Sequence, residues 1–219
     1  MADTMIVCPD CGKEISEKTL KIEKEKLLIV EGRDEEEFFY ALLKKLKIYD
    51  VQVAGVGGKT KIKPNLKTLK TTDPFFDRIT SLGIVRDADD NFNDAFISVQ
   101  NALKAADLPC PKKPLTPTKT SPKVTVMILP PGKSRGTLED ICLGSIKDDP
   151  AIFCVNDYFG CLDAKGVGRP VKDCAKAKAR VFLSSRKEPT LRLGEAANKG
   201  YWPFDASEFD SVRKFLKSL

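Results

Sequence analysis

The chain has 219 residues, 37 lysines and arginines against 31 aspartates and glutamates, a net charge of +6 and no histidine. Ser-His-Asp and Cys-His hydrolases, histidine-ligated zinc or iron centres and imidazole proton shuttles are thereby excluded, so any catalysis must run on carboxylates, lysines, cysteines or a metal. With 42% apolar and 31% charged residues, the profile is that of a soluble globule able to bury a core without disulfide staples.

Residues 1–25 carry Cys8-Pro-Asp-Cys11 and a highly charged run and read as an appendage, whereas 26–219 read as one α/β domain with a helical C-terminal extension. Leu27–Val30 is a short apolar run ending at Glu31-Gly32, as a buried strand should. Asp34–Lys47 follows with Phe38, Phe39, Leu42, Leu43 and Leu46 at helical spacing, acids in its first turn and lysines in its last. Val51–Val56 is the second predicted strand, breaking at Gly57-Gly58, with a short helix over Asn65–Thr71. The third strand, Leu82–Val85, ends at Arg86-Asp87, and apolar residues from Phe92 to Ala106 mark the third helix.

Pro109–Lys123 interrupts this rhythm with five prolines and four lysines and reads as an extended, mobile excursion, either a spacer or a basic flap over a substrate. Val124–Leu129 is the fourth strand, stopped by Pro130-Pro131-Gly132, and Thr137-Leu-Glu-Asp140 has the form of a capping box opening a helix. The chain then reads as irregular through Asp148-Asp149-Pro150, Gly160 and Gly166-Val-Gly168, before two closing helices, Val171–Leu183 and Ala206–Leu219. Alternating strands and helices imply a mainly parallel sheet of about four strands flanked by helices, with right-handed crossovers.

In a parallel sheet the C-terminal strand ends share one rim, where ligands of open α/β folds bind. Glu31 ends the first predicted strand and Asp87 the third, with Asp89, Asp90 and Asn91 just behind. Strands lie about 4.8 Å apart, and two carboxylates about 5 Å apart repel by roughly 3 kcal/mol at an effective dielectric of about 20. Protonation or a hard divalent cation relieves such a cluster, and an all-oxygen ligand set selects Mg²⁺ or Mn²⁺. Taken singly, each acid is explained as a solvent-facing strand end or a helix cap; their pairing after two apolar strands is what points to chemistry.

LLIVEGRDEE followed by LGIVRDADD resembles the Toprim domain, the metal-binding module of topoisomerases, bacterial primases, recombination mediators and the overcoming-lysogenization-defect (OLD) nucleases. Its hallmarks, a Glu after the first strand and Asp-x-Asp after the third, fall on Glu31, Asp87 and Asp89. GVGGKTKI resembles the glycine-lysine turn of the nuclease-like branch, and PPGKSRGTLEDICL the segment after its fourth strand. AANKGYWPFDASEFDSVRKFLKSL is similar to the tail of small bacterial Toprim-related proteins, so the resemblance runs from about Lys26 to Leu219. Topoisomerases continue the motif to a third acid where this chain has Asn91, and no strand-passage domain or primase body fits the length. Neither of those activities is expected.

The resemblance implies a Mg²⁺- or Mn²⁺-dependent, nuclease-like protein cleaving phosphodiesters of DNA or RNA. Asp87 and Asp89 would hold the ion, with Glu31 as a further ligand or the general acid-base group. Glu139 would either support a second ion or simply complement a helix dipole. A non-catalytic Toprim-fold adaptor for nucleic acid or protein, and a nucleotide phosphohydrolase, are the alternatives. The implied partners are nucleic acid and an ATPase.

Two tracts, Lys59–Lys70 and Lys165–Lys187, concentrate the positive charge. Lys59 follows the Gly-Gly turn, where it can neutralise a phosphate. Lys172, Lys176 and Arg180 recur at i, i+4 and i+8, a ridge able to track a phosphate backbone or an ordinary exposed helix face. Seven cysteines suit free thiols in a reducing cytoplasm, there is no secretory signal, and no apolar run, Ala151–Val155 included, comes near the roughly 20 residues of a membrane span. Cys8 and Cys11 form a zinc knuckle in outline, but zinc takes four ligands. Completing it would require Cys154 and Cys161, which have six residues between them, or a second chain in a homodimer.

Overall fold

The computed structural model describes residues 5–7, 14–16, 21–74, 76–168 and 174–219. Strands β1 (Met5–Val7) and β2 (Glu14–Ser16) pair antiparallel, with Ile6 opposite Ile15. Cys8 and Cys11, between them, lie outside the described residues. The main sheet is made by β3 (Lys26–Val30), β4 (Val51–Gly55), β5 (Ser81–Asp87) and β6 (Lys123–Leu129) in the order β4-β3-β5-β6, with every pairing parallel. These strands are apolar on both faces, the pattern of a sheet covered on both sides.

Alternation along the strands divides the core in two. Leu28, Val30, Val85, Met127 and Leu129 face one cluster, which α1 (Arg33–Lys45) covers with Phe38 and Phe39. Leu27, Ile29, Ile84, Val126 and Ile128 face the other, covered by α2 (Ile62–Thr72) and α3 (Phe92–Ala105) through Leu66, Leu69, Phe96, Val99 and Leu103. On the first side the cover continues with α4 (Leu138–Ser145), α5 (Pro150–Ala164), α6 (Cys174–Ser184), α7 (Leu193–Asn198) and α8 (Asp210–Lys217), whose buried Ile141, Phe159, Phe182, Ala196 and Phe215 join that cluster. The architecture is the α/β fold that the alternating pattern and the Toprim resemblance imply. No described helix is long and apolar enough to cross a membrane.

Two stretches differ from their sequence reading. The segment read as irregular after the fourth helix holds the 15-residue α5. Asp-Pro there is a helix start: the Asp149 side chain accepts the Ala151 N–H at 2.8 Å, and Pro150 occupies the first turn, where a missing N–H is harmless. Gly160 sits inside the helix. The proline-rich excursion is also not a free flap. Leu115 N–H donates to Val126 O at 2.8 Å and Thr118 N–H to Val124 O at 3.0 Å, so the segment runs along the otherwise open edge of β6. Covering that edge removes an unpaired row of backbone groups, and proline is tolerated in such a position.

Asp149 also ties α5 to the end of α6. Its two carboxylate oxygens each receive a guanidinium N–H of Arg186 at 3.1 Å, and that guanidinium lies over the Phe182 ring at 4.3 Å. Asp149→Ala removes both the cap and the fork, and we expect a loss of about 1–2 kcal/mol in urea unfolding. Asp149→Asn, which keeps a capping oxygen, should lose less. Equal midpoints for all three proteins would contradict this role.

Candidate functional site

The strand order places the site. From β3 the chain crosses to β4 on one side and then returns to β5 on the other, so connections diverge between β3 and β5, the crevice where open α/β folds bind ligands. Ile29 lies opposite Ile84 across this junction, which brings Glu31 and Arg86-Asp87 to its mouth. Asp87 N–H donates to Glu31 Oε1 at 3.2 Å, and Arg86 Nε stands 3.7 Å from the same oxygen. Arg86 Nη1 donates to Ala95 O of α3 at 3.2 Å, while its buried Nε has no hydrogen-bond partner among the described residues.

Asp87 continues the register of Gly83 and Val85 and turns to the α4 side of the sheet. It is only 6% exposed, and its Oδ1 accepts the Leu138 N–H at 3.0 Å, at the start of α4. The capping-box expectation is met in the same turn, where Asp140 Oδ2 accepts the Thr137 N–H at 2.7 Å. Burial, reinforced by Glu139, Glu31 and Glu35, pushes the Asp87 carboxyl well above the ordinary carboxylate range. Burial and then the Asp89 charge raise Glu31, against the opposing Arg86 charge. Burial likewise raises Glu35, in the first turn of α1, with Glu139 and Asp34 adding to it.

Asp89 is held differently. Its backbone is left-handed, φ 50°, and both its N–H and its C=O pair with Gly136 at 2.9 Å. A non-glycine residue in that conformation is strained and persists where its surroundings enforce it. Its Oδ2 accepts from Lys59 Nζ at 2.6 Å. Lys59 is delivered by Gly57 and Gly58, both at positive φ (83° and 117°), with Gly58 N–H donating to Glu31 O at 2.5 Å. Asn91, in the third acid position of the motif, serves as the α3 cap and accepts from the N–H groups of Asn93 and Asp94.

The sequence-predicted residues are therefore brought together in part. Glu31, Asp87, Asp89 and Lys59 share the rim, and Glu139 lies close enough to act on Asp87 and Glu35. From α6, Lys176 turns towards the acids: burial works against its charge, but Glu139, Asp87, Glu35 and Asp89 outweigh that and hold its pKa up. Arg180, one turn on, lines a separate cavity of about 350 Å³ with Asp34, Glu139 and Arg192. Lys172 lies outside the described residues. Cys154 and Cys161 are exposed on α5, seven positions apart, which is about 10.5 Å along a helix axis. They are too far apart to share one zinc with the knuckle, since Zn–S bonds are about 2.3 Å.

Sequence reasoning did not single out Glu35 or Arg86. Glu35 is four residues beyond Glu31 in the first turn of α1, a spacing that could have marked it. Arg86, the immediate neighbour of Asp87 on a strand, points to the opposite face and so reaches Glu31 from the α3 side.

All five nearby acids offer hard oxygen donors, and their burial and mutual repulsion are what a divalent cation relieves, so the donor chemistry fits Mg²⁺ or Mn²⁺. Glu31, Asp87 and Asp89 each commit one oxygen to a protein donor, and their second oxygens have no hydrogen bond among the described residues. No three His, Cys, Asp or Glu side chains among the described residues lie close enough to hold an ion, so an ion here would require these carboxylates to move together.

Residues 25–219 match the model of a family described as "Protein of unknown function (DUF3226)". The chain belongs to that family. No curated protein matches it in sequence. Among solved structures it is similar to the C-terminal region of the Xanthomonas campestris pv. campestris OLD protein at 14% identity and TM-score 0.47, over 89% of this chain and 95% of that one. It is also similar to the C-terminal region of the Burkholderia pseudomallei OLD protein at 13% identity and TM-score 0.47, over 90% and 98%. These are likenesses of shape at low identity and assign no activity to this chain.

In the same direction as the raised Glu31 and Glu35, the raised Asp87 pKa contributes to the pH dependence of metal-free stability. The folded protein binds this proton at a higher pH than the unfolded chain, so stability falls as pH rises from the unfolded carboxylate value through the folded one. Asp87→Asn keeps an oxygen for the Leu138 N–H and removes the buried charge. In EDTA at neutral pH the variant should melt above the parent, with the gap closing as pH falls towards about 4. A parent as stable as the variant at neutral pH would show that the charge is already compensated.

Proposed function

We propose that this protein is a divalent-cation-dependent phosphodiesterase of the Toprim type acting on nucleic acid. The observation that carries the reading is the meeting of Glu31 and Asp87 at the β3/β5 crevice, with Asp89 fixed beside them by Gly136. Asp87 and Asp89, with Glu31 as a further ligand, would hold Mg²⁺ or Mn²⁺, and Glu35 and Glu139 would be available to hold a second ion. When bound, the ion would supply Lewis-acid charge to a phosphate oxygen and acidify a water.

The chain's own residues supply the rest. Lys176, kept protonated by its acidic neighbours, neutralises negative charge developing on the phosphate. In the alternative in which Asp87 and Asp89 alone hold the ion, Glu31, whose carboxyl is raised by burial and by Asp89, would carry a proton to or from the reacting oxygens. Arg86 limits that rise and orients Glu31 from the α3 side. Lys59 neutralises Asp89 in the absence of substrate and lies where an incoming phosphate can take over as its partner.

One observation favours a second reading, a nucleic-acid-binding adaptor without turnover: Asp89 already has a cation in Lys59, and the acids are not drawn into a three-ligand set. Cleavage separates the two. Plasmid DNA or structured RNA should be cut with Mn²⁺ or Mg²⁺ and left intact in EDTA, and Asp87→Asn and Lys176→Met should each lower kcat by about 10²–10³. Chelator-insensitive binding without cleavage would establish the adaptor. Undiminished cleavage by a Glu31→Gln, Asp87→Asn double variant would overturn the phosphodiesterase site.

A further inference from the structure

The loop from Pro130 to Thr137 holds a cation that the proposed chemistry leaves unused. A cavity of about 660 Å³ opens beside Asp89, and three elements place basic side chains around it: Lys59 after β4, Arg135 in this loop and Lys176 on α6. Three acids share its wall, Asp89, Asp90 and Asp140, and two of them are already engaged. Asp89 pairs with Lys59, and Asp140 accepts the Thr137 N–H. Arg135 is exposed and has no ion-pair or hydrogen-bond partner among the described residues.

Its backbone, by contrast, is clamped on both sides. Ser134 O accepts the Phe92 N–H at 2.8 Å, and Gly136 exchanges both backbone hydrogen bonds with Asp89. Gly136 has φ +130°, and a Cβ there would stand 2.8 Å from Pro130 Cδ and 2.9 Å from Asp140 Oδ2, so only glycine lets the loop lie this close. The base of Arg135 is thereby fixed to the same bridge that fixes Asp89. A guanidinium presents a planar fork that grips a phosphate through two parallel hydrogen bonds. A free one anchored beside the rim carboxylates, over a cavity whose three cations face three acids of which two are already engaged, suits an anionic strand that passes the acids and continues along the wall.

We propose that Arg135 is the strand-gripping residue of this site: it binds a phosphate of the nucleic acid next to the one presented to Glu31 and Asp87. This rests on the reading above that the substrate is a phosphodiester strand. The grip is to the backbone, so it does not select a base.

The test measures binding and cleavage separately. A fluorescein-labelled single-stranded oligonucleotide, as DNA and as RNA of the same sequence, is titrated in EDTA by fluorescence anisotropy at several salt concentrations, and Mn²⁺ binding is followed by calorimetry. Arg135→Gln should raise Kd about tenfold and lower the slope of log K against log salt by about 0.7, the share of one phosphate on a single strand. Arg135→Lys should keep the slope while recovering only part of the affinity. Mn²⁺ affinity should match the parent in both variants, which shows that the site is intact, and in cleavage the loss should fall on KM more than on kcat.

An unchanged Kd and salt slope in Arg135→Gln would overturn the inference, even if the parent cleaves. If the parent binds the strand yet cleaves under no metal condition, the phosphodiesterase reading fails and the Arg135 comparison still decides the grip. A parent that binds neither strand overturns both. A preference for DNA or RNA shared by parent and variants is consistent with a backbone grip, whereas one abolished by Arg135→Gln contradicts it.

Discussion

Asp87 is 6% exposed and faces Glu31, Glu35 and Glu139, so burial and repulsion both raise its carboxyl, and the rim of this sheet is organised around that constraint. Backbone geometry leaves no choice about where the side chain goes. As the last residue of β5, with its partners β3 and β6 in register on either side, Asp87 is carried to the end of the crevice by the same alternation that buries Val85. The Leu138 N–H at the head of α4 offsets part of the burial, because a helix start presents unpaired donors and the positive end of its dipole. What remains is relieved by a proton, by Lys176, or by a metal.

The surrounding charges can be read as a set of counterweights. Arg86 restrains Glu31 from one face of the sheet, Lys176 stands over Asp87, Glu35 and Glu139 from the other, and Lys59 reaches across from the end of β4 to Asp89. Lys59 and Lys176 are single members of the two basic tracts, delivered by the glycine turn after β4 and by α6, whereas Arg86 comes from β5. The net charge of +6 thus conceals a rim in which acids and bases alternate at close range. Such a rim has the character of a site built to exchange partners rather than of a stabilising salt-bridge network, whose exposed members contribute little.

Much of this was legible in the chain because it is local. Four short apolar runs ending in Gly, Pro or acid are strands in any α/β context, and Glu31, Asp87 and Asp89 stand where such strands end. What could not be read was of two kinds. Some was local but ambiguous: Asp149-Pro150 opens a helix and breaks a strand equally well as a string of letters, and only the packing of Ile152, Val155 and Phe159 against the core decides. The rest was non-local. The pairing of Leu115 and Thr118 with β6, the inward turn of Lys176 and the clamp between Asp89 and Gly136 join residues whose sequence separation carries no periodic signal. Lys176 was visible as a member of a basic ridge, but a helix face has no direction until its neighbours are known.

The claim on which the rest depends is that the Glu31–Asp87 junction is a cation site, and anomalous scattering from Mn²⁺-soaked crystals of the full chain tests it most directly. The expected result is an anomalous peak bounded by Glu31, Asp87 and Asp89, with the carboxylates drawn together and Lys59 Nζ moved away from Asp89. A saturating soak that leaves no peak at this junction, with Lys59 still paired to Asp89, would contradict it.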